Sequence, residues 1–471
     1  MVEKLRKTLS ESAAARWTVL VMVSLTMMCG YFLTDVMAPL ENELYQIGWS
    51  GSDYGIFNSA YGWLNFTFCM LIFSGIVLDK LGPRRTGVLA VGVMVVGLLI
   101  KYYALEFMTP TVMDPATGNL DPTEVTFWFF GMRTFNTQVL VASAGYAIFA
   151  VGYETIGITA TKIIVRWFKS SGSMALALGM NVAFARLGTA MAMLLPMPIF
   201  NYFNQQISAP LLVGIVVLLG GFLCFIVFTF MDRKLDAERA QEGLSAEEKF
   251  KMADILQIIK VRGFWYIAFM CLLFYSAVFP FLKFATLFIS SKFNVDFDIA
   301  GSIPSLLPFG TILLTPLFGN IYDKKGHGAT IMIIGSAMLV GIYALFAIPG
   351  LDYWPFAAGL VVLLGVAFSL VPSAMWPSVA KIIPENRLGT AFALIFWMQN
   401  LGLAGMPALV AYVREHFGLI SMATLTEDAV YDYTVPMLMF MFLGICAVGM
   451  GLLLKREDRI KGYGLENPST K

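Results

Sequence analysis

The stretch Gly75-Ile-Val-Leu-Asp79-Lys80-Leu-Gly82-Pro83-Arg84-Arg85 closes one long apolar run and begins the next. A weaker copy, Gly319-Asn-Ile-Tyr-Asp323-Lys324-Lys325-Gly326, follows 244 positions later. Gly75, Asp79, Lys80 and Gly82 all recur in register. Any short membrane turn carries glycine and basic residues, but two copies in register point to a duplicated bundle. The residue types suit such a turn. A glycine one turn before a helix end lets a neighbouring helix approach closely. An acid at a helix C-terminus faces the negative end of the dipole, so it needs a helix N-terminus or a basic side chain as partner. Lys80, Arg84 and Arg85 hold the turn on one side of a membrane.

The composition agrees with this reading. Of 471 residues, 58% are hydrophobic and 13% charged, with a mean hydropathy of +0.74. A membrane helix needs about 20 apolar residues. Twelve such runs are present, at 17–40, 54–78, 84–105, 138–165, 173–199, 209–231, 264–289, 299–322, 329–348, 355–381, 388–413 and 434–454. The first is too long for a signal-peptide core and lacks a small-residue cleavage pattern. The expected architecture is an all-α membrane protein of twelve transmembrane helices in two pseudo-symmetric six-helix bundles. Its segments are a tail (1–16), an N-terminal bundle (17–231), a linker (232–262), a C-terminal bundle (263–455) and a polar, mobile tail (456–471). Phe250, Met252, Ile255 and Ile258 give the charged linker the spacing of an amphipathic surface helix.

Charge placement sets the orientation. Of the 32 Lys and Arg, 25 lie in the termini or in the turns after even-numbered spans. Only Lys101, Arg133, Lys292 and Arg414 lie on the other side, and Lys162, Arg186 and Lys283 fall inside spans. By the positive-inside rule both termini are cytoplasmic. The external loop 106–137, rich in Pro, Gly, Asp and Thr, reads as a connector in preference to a lid.

Five cysteines in apolar runs, without paired spacing, read as packing residues. The two histidines, His327 and His416, cannot build a catalytic or metal centre, and no phosphate-cradling loop appears. A pump or membrane enzyme is therefore disfavoured, and no cofactor or nucleic acid is expected. The expected partners are the bilayer and a small-molecule substrate, with the chain a monomer.

Charges inside a bilayer are costly and face a cavity or a partner. They are Asp35, Glu154, Lys162, Arg186 and Lys283. Asp35 stands about 27 Å along its helix from Trp17. Glu154 and Arg186 fall level at mid-depth on consecutive spans. They form either a buried ion pair or a clamp for a zwitterion, with the amine on Glu154 or Asp35 and the carboxylate on Arg186. The clamp is preferred, because two acids and a base share one region. Lys162 is a candidate basal gate, and Lys283 either lines a cavity or snorkels. Tyr31, Tyr61, Tyr153, Tyr275 and Trp376 are candidate cavity aromatics, Tyr61 the foremost because small residues flank it.

The repeated turn resembles the signature of the major facilitator superfamily, where it serves as a conformational latch. Within that superfamily the chain resembles the lysosomal dipeptide transporter branch and its bacterial relatives. The matching residues are Tyr31-Phe32 with Asp35, Tyr61-Gly-Trp63-Leu-Asn65, Gly152-Tyr-Glu154, Arg166-Trp167-Phe168-Lys169 and Ala185-Arg186-Leu-Gly188. In the second half they are Tyr275 through Phe281, Trp376-Pro377, Leu388-Gly389-Thr390 and Gln399-Asn400-Leu-Gly402. The resemblance implies a facilitative, alternating-access carrier of dipeptides. It implies that Glu154 and Arg186 help to bind the peptide termini, that Tyr61 and Trp376 shape the cavity, and that Asn400 lies near it. Asp79 and Asp323 would latch one side, Asp79 against the helix starting near Leu388. Tyr146 stands where many members carry a basic residue associated with proton coupling, which weakens a proton-symport reading. An anion exchanger, with Arg186 and Lys283 gripping a dianion, is the competing function. A non-transporting receptor is the third. The only Asn-x-Thr sequence, Asn65-Phe-Thr67, lies within a span, which favours a bacterial inner membrane over a glycosylated lysosomal one.

Overall fold

The computed structural model describes residues 12–108, 122–127, 131–168, 174–241, 252–384, 387–421 and 430–468. Eleven helices are long and apolar enough to cross a membrane, and a bent pair makes a twelfth span. The spans are α1 (Ala13–Asp35), α2 (Gly51–Thr67 with Ile72–Leu78), α3 (Lys80–Phe107), α4 (Thr137–Phe168), α5 (Met174–Leu194) and α6 (Ala209–Gln241). The second half comprises α7 (Arg262–Phe293), α8 (Ser302–Lys325), α9 (Gly328–Ala347), α10 (Trp354–Ile382), α11 (Leu388–Gly418) and α12 (Thr434–Lys461). Two short antiparallel ribbons lie in the α3–α4 and α11–α12 connections.

Apolar stripes face outward. On α3, Leu89, Val93, Val96, Tyr103 and Phe107 are exposed. In water such a face would mark an interaction site; on a spanning helix it is the lipid-facing side.

The spans alternate in direction, so both repeated turns lie at one end of the bundle, here termed the turn end. The start of α1 is there too, with the Trp17 ring 5.4 Å from that of Phe168 at the end of α4. At both turns the second glycine of the motif breaks the helix with a left-handed backbone: φ is 76° at Gly82 and 73° at Gly326. That conformation is strained for any residue with a Cβ, which explains the repeat of this glycine. The first glycine behaves otherwise than expected. A Cβ at Gly75 or Gly319 would meet nothing within 4 Å, so neither admits a neighbouring helix in this conformation. The Asp79 side chain lies outside the described residues. Arg84 reaches Asp232 at 3.8 Å, and Asp232 is fully buried, accepting also from Trp167 Nε1 at 2.8 Å and from Arg166 at 3.4 Å. The first turn is thus tied to α4 and α6 of its own half.

α2 is bent by 62°, where the sequence suggested an unbroken span. Cys69 takes a left-handed backbone there. Trp397 of α11 donates to the carbonyl of Phe66 at 2.9 Å, a second bond on a group that also accepts from the Cys69 amide at 3.3 Å. The far part of α2 packs tightly on α11: a Cβ on Gly62 would run into the backbone of Ala404 and Asn400. Ser59 accepts a 2.9 Å hydrogen bond from the Ala408 amide of that same helix.

The C-terminal residues differ from the mobile tail expected. α12 continues to Lys461, and Gly462–Pro468 fold back onto the α8–α9 turn. The amides of His327 and Gly328 donate to the carbonyls of Glu466 (3.0 Å) and Leu465 (2.9 Å). The Glu466 carboxylate accepts from the Thr330 amide (3.0 Å) and hydroxyl (2.8 Å). Lys381 of α10 donates to the carbonyls of Gly464 and Asn467, and Leu465 is fully buried. The first amides of a helix have no partner within it, and an anion there is favourable. The tail is ordered because it supplies those partners to α9. Burial pushes the Glu466 carboxyl up, but hydrogen bonds from Thr330 and His327 outweigh this and hold it below 4.5.

Candidate functional site

Between the halves lies a cavity of about 1470 Å³. At the turn end it is lined by Leu78, Val165, Leu388 and Gly389, and at the far end by Asp35, Asn58, Lys283 and Pro407. Beyond that far boundary the halves are bolted together. Glu41, in the α1–α2 connection, pairs with Arg414 of α11 at 2.6 Å, both side chains fully buried. Tyr433 accepts from the same guanidinium at 2.9 Å, and Tyr45 also accepts from it. Ser52 of α2 donates to Glu415 of α11. The cavity is therefore sealed at the far end and extends to the turn end.

Lys101 and Arg414, counted from the sequence on the side away from the repeated turns, are both buried. Lys101 is only 1% exposed, its ammonium 4.7 Å from the Tyr146 ring centroid and 4.9 Å from that of Phe57. Arg414 is the Glu41 partner. No pattern along the sequence joins positions 41 and 414, so that pair was not legible.

Asp35, Tyr61, Glu154, Arg186 and Trp376 all line the cavity, as do Tyr31, Gly75, Lys162, Tyr275 and Lys283. Asn400 is buried outside the lining, its side-chain amide donating to the Phe396 carbonyl at 3.0 Å. The two acids stand in different circumstances. Asp35 of α1 is paired with Lys283 of α7 at 2.6 Å. The Lys283 ammonium also donates to the Thr34 carbonyl (2.6 Å) and to the Tyr146 hydroxyl (3.0 Å). Lys283 thus lines the cavity and does not snorkel. Glu154 of α4 instead accepts from the Tyr61 hydroxyl at 2.6 Å, and among the described residues no cation pairs with it. The Tyr61 and Tyr146 rings lie 5.8 Å apart. A continuous row therefore runs Glu154–Tyr61–Tyr146–Lys283–Asp35.

Arg186 of α5 does not pair with Glu154, which removes the buried-ion-pair alternative in this conformation. Its guanidinium lies 4.5 Å from the Phe368 ring centroid and 5.8 Å from that of Tyr31. Among the described residues no carboxylate pairs with it. Stacking on aromatic faces holds the guanidinium while leaving its fork of donors available. Phe368 of α10 was not singled out in the sequence, since an apolar residue in an apolar span carries no distinguishing mark. The aromatic wall continues through Tyr275 and Phe279, whose rings stack at 5.2 Å. Trp376 packs 5.0 Å from Phe396. The Leu388–Thr390 segment, expected opposite Asp79, lines the cavity mouth.

Comparisons with known proteins agree with this architecture. Human lysosomal dipeptide transporter MFSD1 is 23% identical over 418 residues, covering 86% of this chain and 82% of that one. The Gallus gallus protein of the same name is 26% identical over 327 residues, covering 67% and 71%. A shorter match, 28% over 125 residues, links 26% of this chain to 29% of the Escherichia coli inner membrane transport protein YdiN. Among solved structures, the nucleoside transporter NupG (D323A mutant) superposes with a TM-score of 0.68 at 14% identity, covering 93% and 99% of the two chains. A proton-dependent oligopeptide transporter structure gives 0.60 at 17% identity, covering 97% and 100%. The Major Facilitator Superfamily profile matches residues 20–407. Twelve spans in two halves around a central cavity, together with that match, show that the chain belongs to the Major Facilitator Superfamily and is a membrane transporter, not an enzyme.

Proposed function

We propose that this transporter carries dipeptides, or similar small zwitterions, by facilitative alternating access. One observation carries the reading: the cavity holds an acid, Glu154, and a base, Arg186, neither ion-paired among the described residues, while Asp35 and Lys283 neutralise each other. Unpaired charges of opposite sign in one cavity await a ligand carrying both signs. Glu154, and Asp35 once its lysine yields, receive the amine and Arg186 the carboxylate, bidentate through its planar fork. Tyr61 orients the Glu154 carboxylate. Phe368, Tyr275, Phe279 and Trp376 offer apolar and π surfaces to substrate side chains. The names of the MFSD1 relatives support the substrate class.

By the positive-inside rule the turn end is cytoplasmic and this conformation faces inward. Rocking of one half against the other would open the far-end ion pairs and close Leu78 and Leu388 over the mouth, exposing the same site to the other side. The MFSD1 relatives are lysosomal by name, and the inner-membrane expectation rests on the absent external sequon and on the shorter match to the inner membrane protein YdiN.

The anion-exchange reading loses support because Lys283 is engaged by Asp35. Proton coupling is the second reading, favoured by the lack of a cation on Glu154: a proton there would take the place of the substrate amine.

The test is thermal stability of the purified protein with dipeptides, free amino acids and dicarboxylates at two pH values. A ligand that binds only the folded state at about 100 times its Kd adds about 2.7 kcal/mol of stability. Dipeptides are expected to raise the melting temperature in the wild type and to fail in Arg186→Ala and Glu154→Gln. Stabilisation by dicarboxylates alone overturns the proposal. Uptake that follows an imposed pH gradient selects the proton-coupled reading.

A further inference from the structure

The Asp35–Lys283 pair lies inside the cavity lining, unlike the Glu41–Arg414 pair beyond it. It is also a bond between the halves, α1 to α7. The group facing Asp35 is a primary ammonium, the same chemical group that a dipeptide presents at its N-terminus. We propose that Lys283 is a tethered substitute for the substrate amine, occupying Asp35 when the carrier is empty and yielding it to the substrate when loaded. This rests on the dipeptide reading above.

The physical argument concerns what becomes of Asp35. A buried carboxylate left without its cation costs several kcal/mol. With Lys283 in place the empty carrier never faces that cost in the conformation seen here. When a substrate amine entering along the Glu154–Tyr61–Tyr146 row reaches Asp35, one ammonium replaces another and the acid remains paired. What changes is the joint between the halves: the cation on Asp35 no longer belongs to α7, so one of the far-end ties is loosened while Glu41–Arg414 remains. Lys283 keeps a landing place on the Tyr146 ring face, 5.5 Å from its centroid. Lys101, over that same ring, belongs to α3 and stays with the N-terminal half. The substitute thus lets the carrier pass through its empty state, which net, uncoupled flux requires.

The experiment compares two transport modes in proteoliposomes for wild type and Lys283→Ala. One is net entry of a dipeptide into empty vesicles; the other is exchange against internal dipeptide. In Lys283→Ala, net entry is expected to fall by about tenfold or more, since an uncompensated buried acid opposes return of the empty carrier, while exchange stays within about threefold of wild type. Ethylammonium in the medium is expected to restore net entry. Lys283→Arg, which keeps a tethered cation for Asp35, is expected to retain net entry, and it serves should Lys283→Ala fold poorly. Parallel loss of both modes without rescue, or no loss of either, overturns the proposal. Failure of dipeptides to stabilise the wild type would instead overturn the substrate reading, a distinct result.

Discussion

The Tyr61 hydroxyl and Glu154 Oε1 are joined by a 2.6 Å hydrogen bond between α2 and α4. The phenol fixes the carboxylate without cancelling its charge, as an ion pair would. Hydrogen bonds to charged groups contribute about 1.5–3 kcal/mol, so Tyr61→Phe is expected to weaken dipeptide binding by about tenfold or more. The melting-temperature shift against dipeptide concentration measures this. Wild-type affinity in Tyr61→Phe would remove Glu154 from the site.

Arg186 is held by ring faces, with no acid beside it among the described residues. If its fork binds the substrate carboxylate, wild type should discriminate against C-terminally amidated dipeptides by about tenfold or more. Arg186→Ala should not discriminate. Arg186→Lys should fall between, since lysine keeps the charge but not the fork or the stacking. Competition assays with paired free-acid and amide peptides read this directly.

Glu41 and Arg414 share a site with no solvent exposure. Removing one partner of such a pair costs about 3–5 kcal/mol, whereas replacing both by apolar residues is close to neutral. Arg414→Leu should therefore lower the melting temperature markedly. Adding Glu41→Leu should recover most of the loss while biasing the carrier toward its present, far-end-closed form. Melting curves and cysteine accessibility at the far end report the two effects separately.

Glu466 predicts a pH dependence at the turn end. Its carboxyl is held below 4.5 in the folded protein. A group depressed on folding stabilises above its unfolded value, and that stabilisation is lost as pH falls through the folded value. Protection of the His327, Gly328 and Thr330 amides against hydrogen exchange, taken relative to the intrinsic rate, should be high at neutral pH and fall selectively once the pH drops below the ordinary carboxylate range. Glu466→Gln should show faster exchange there at neutral pH and little further acid response.

The two turn glycines should respond unequally to alanine. Both need left-handed backbone, a cost of about 1–2 kcal/mol for a residue with a Cβ. At Gly82 the added carbon meets nothing within 4 Å, but at Gly326 it meets the backbone of Glu466 and Asn467. Gly326→Ala should lower the melting temperature more than Gly82→Ala. Equal effects would mean that the tail does not rest on the turn.

Spans, duplication and the cavity-lining charges were legible because apolar run length and a repeated turn are one-dimensional signals. Asp35, Glu154, Arg186 and Lys283 stood out because charges are rare in spans. Their pairing was not legible: Lys283 reaches across 248 positions to Asp35, and sequence depth cannot tell which acid it meets. The burial of Lys101 and Arg414 was not legible, because a basic residue near a span end reads the same whether water or an aromatic cage surrounds it. The tail was read as mobile because its polar residues carry no apolar period. Its order comes from capping α9, which only the fold reveals.

That cap also has a consequence for biosynthesis. Thr330 takes its carboxylate from a residue 136 positions downstream. Chains emerge from the ribosome N-terminus first, so α9 enters the membrane long before its capping residue is made. Until Glu466 arrives, the opening amides of α9 lack their final partners. A nascent chain, or one stopped by a premature codon before Glu466, would display an unfinished helix start to the machinery that surveys new membrane proteins.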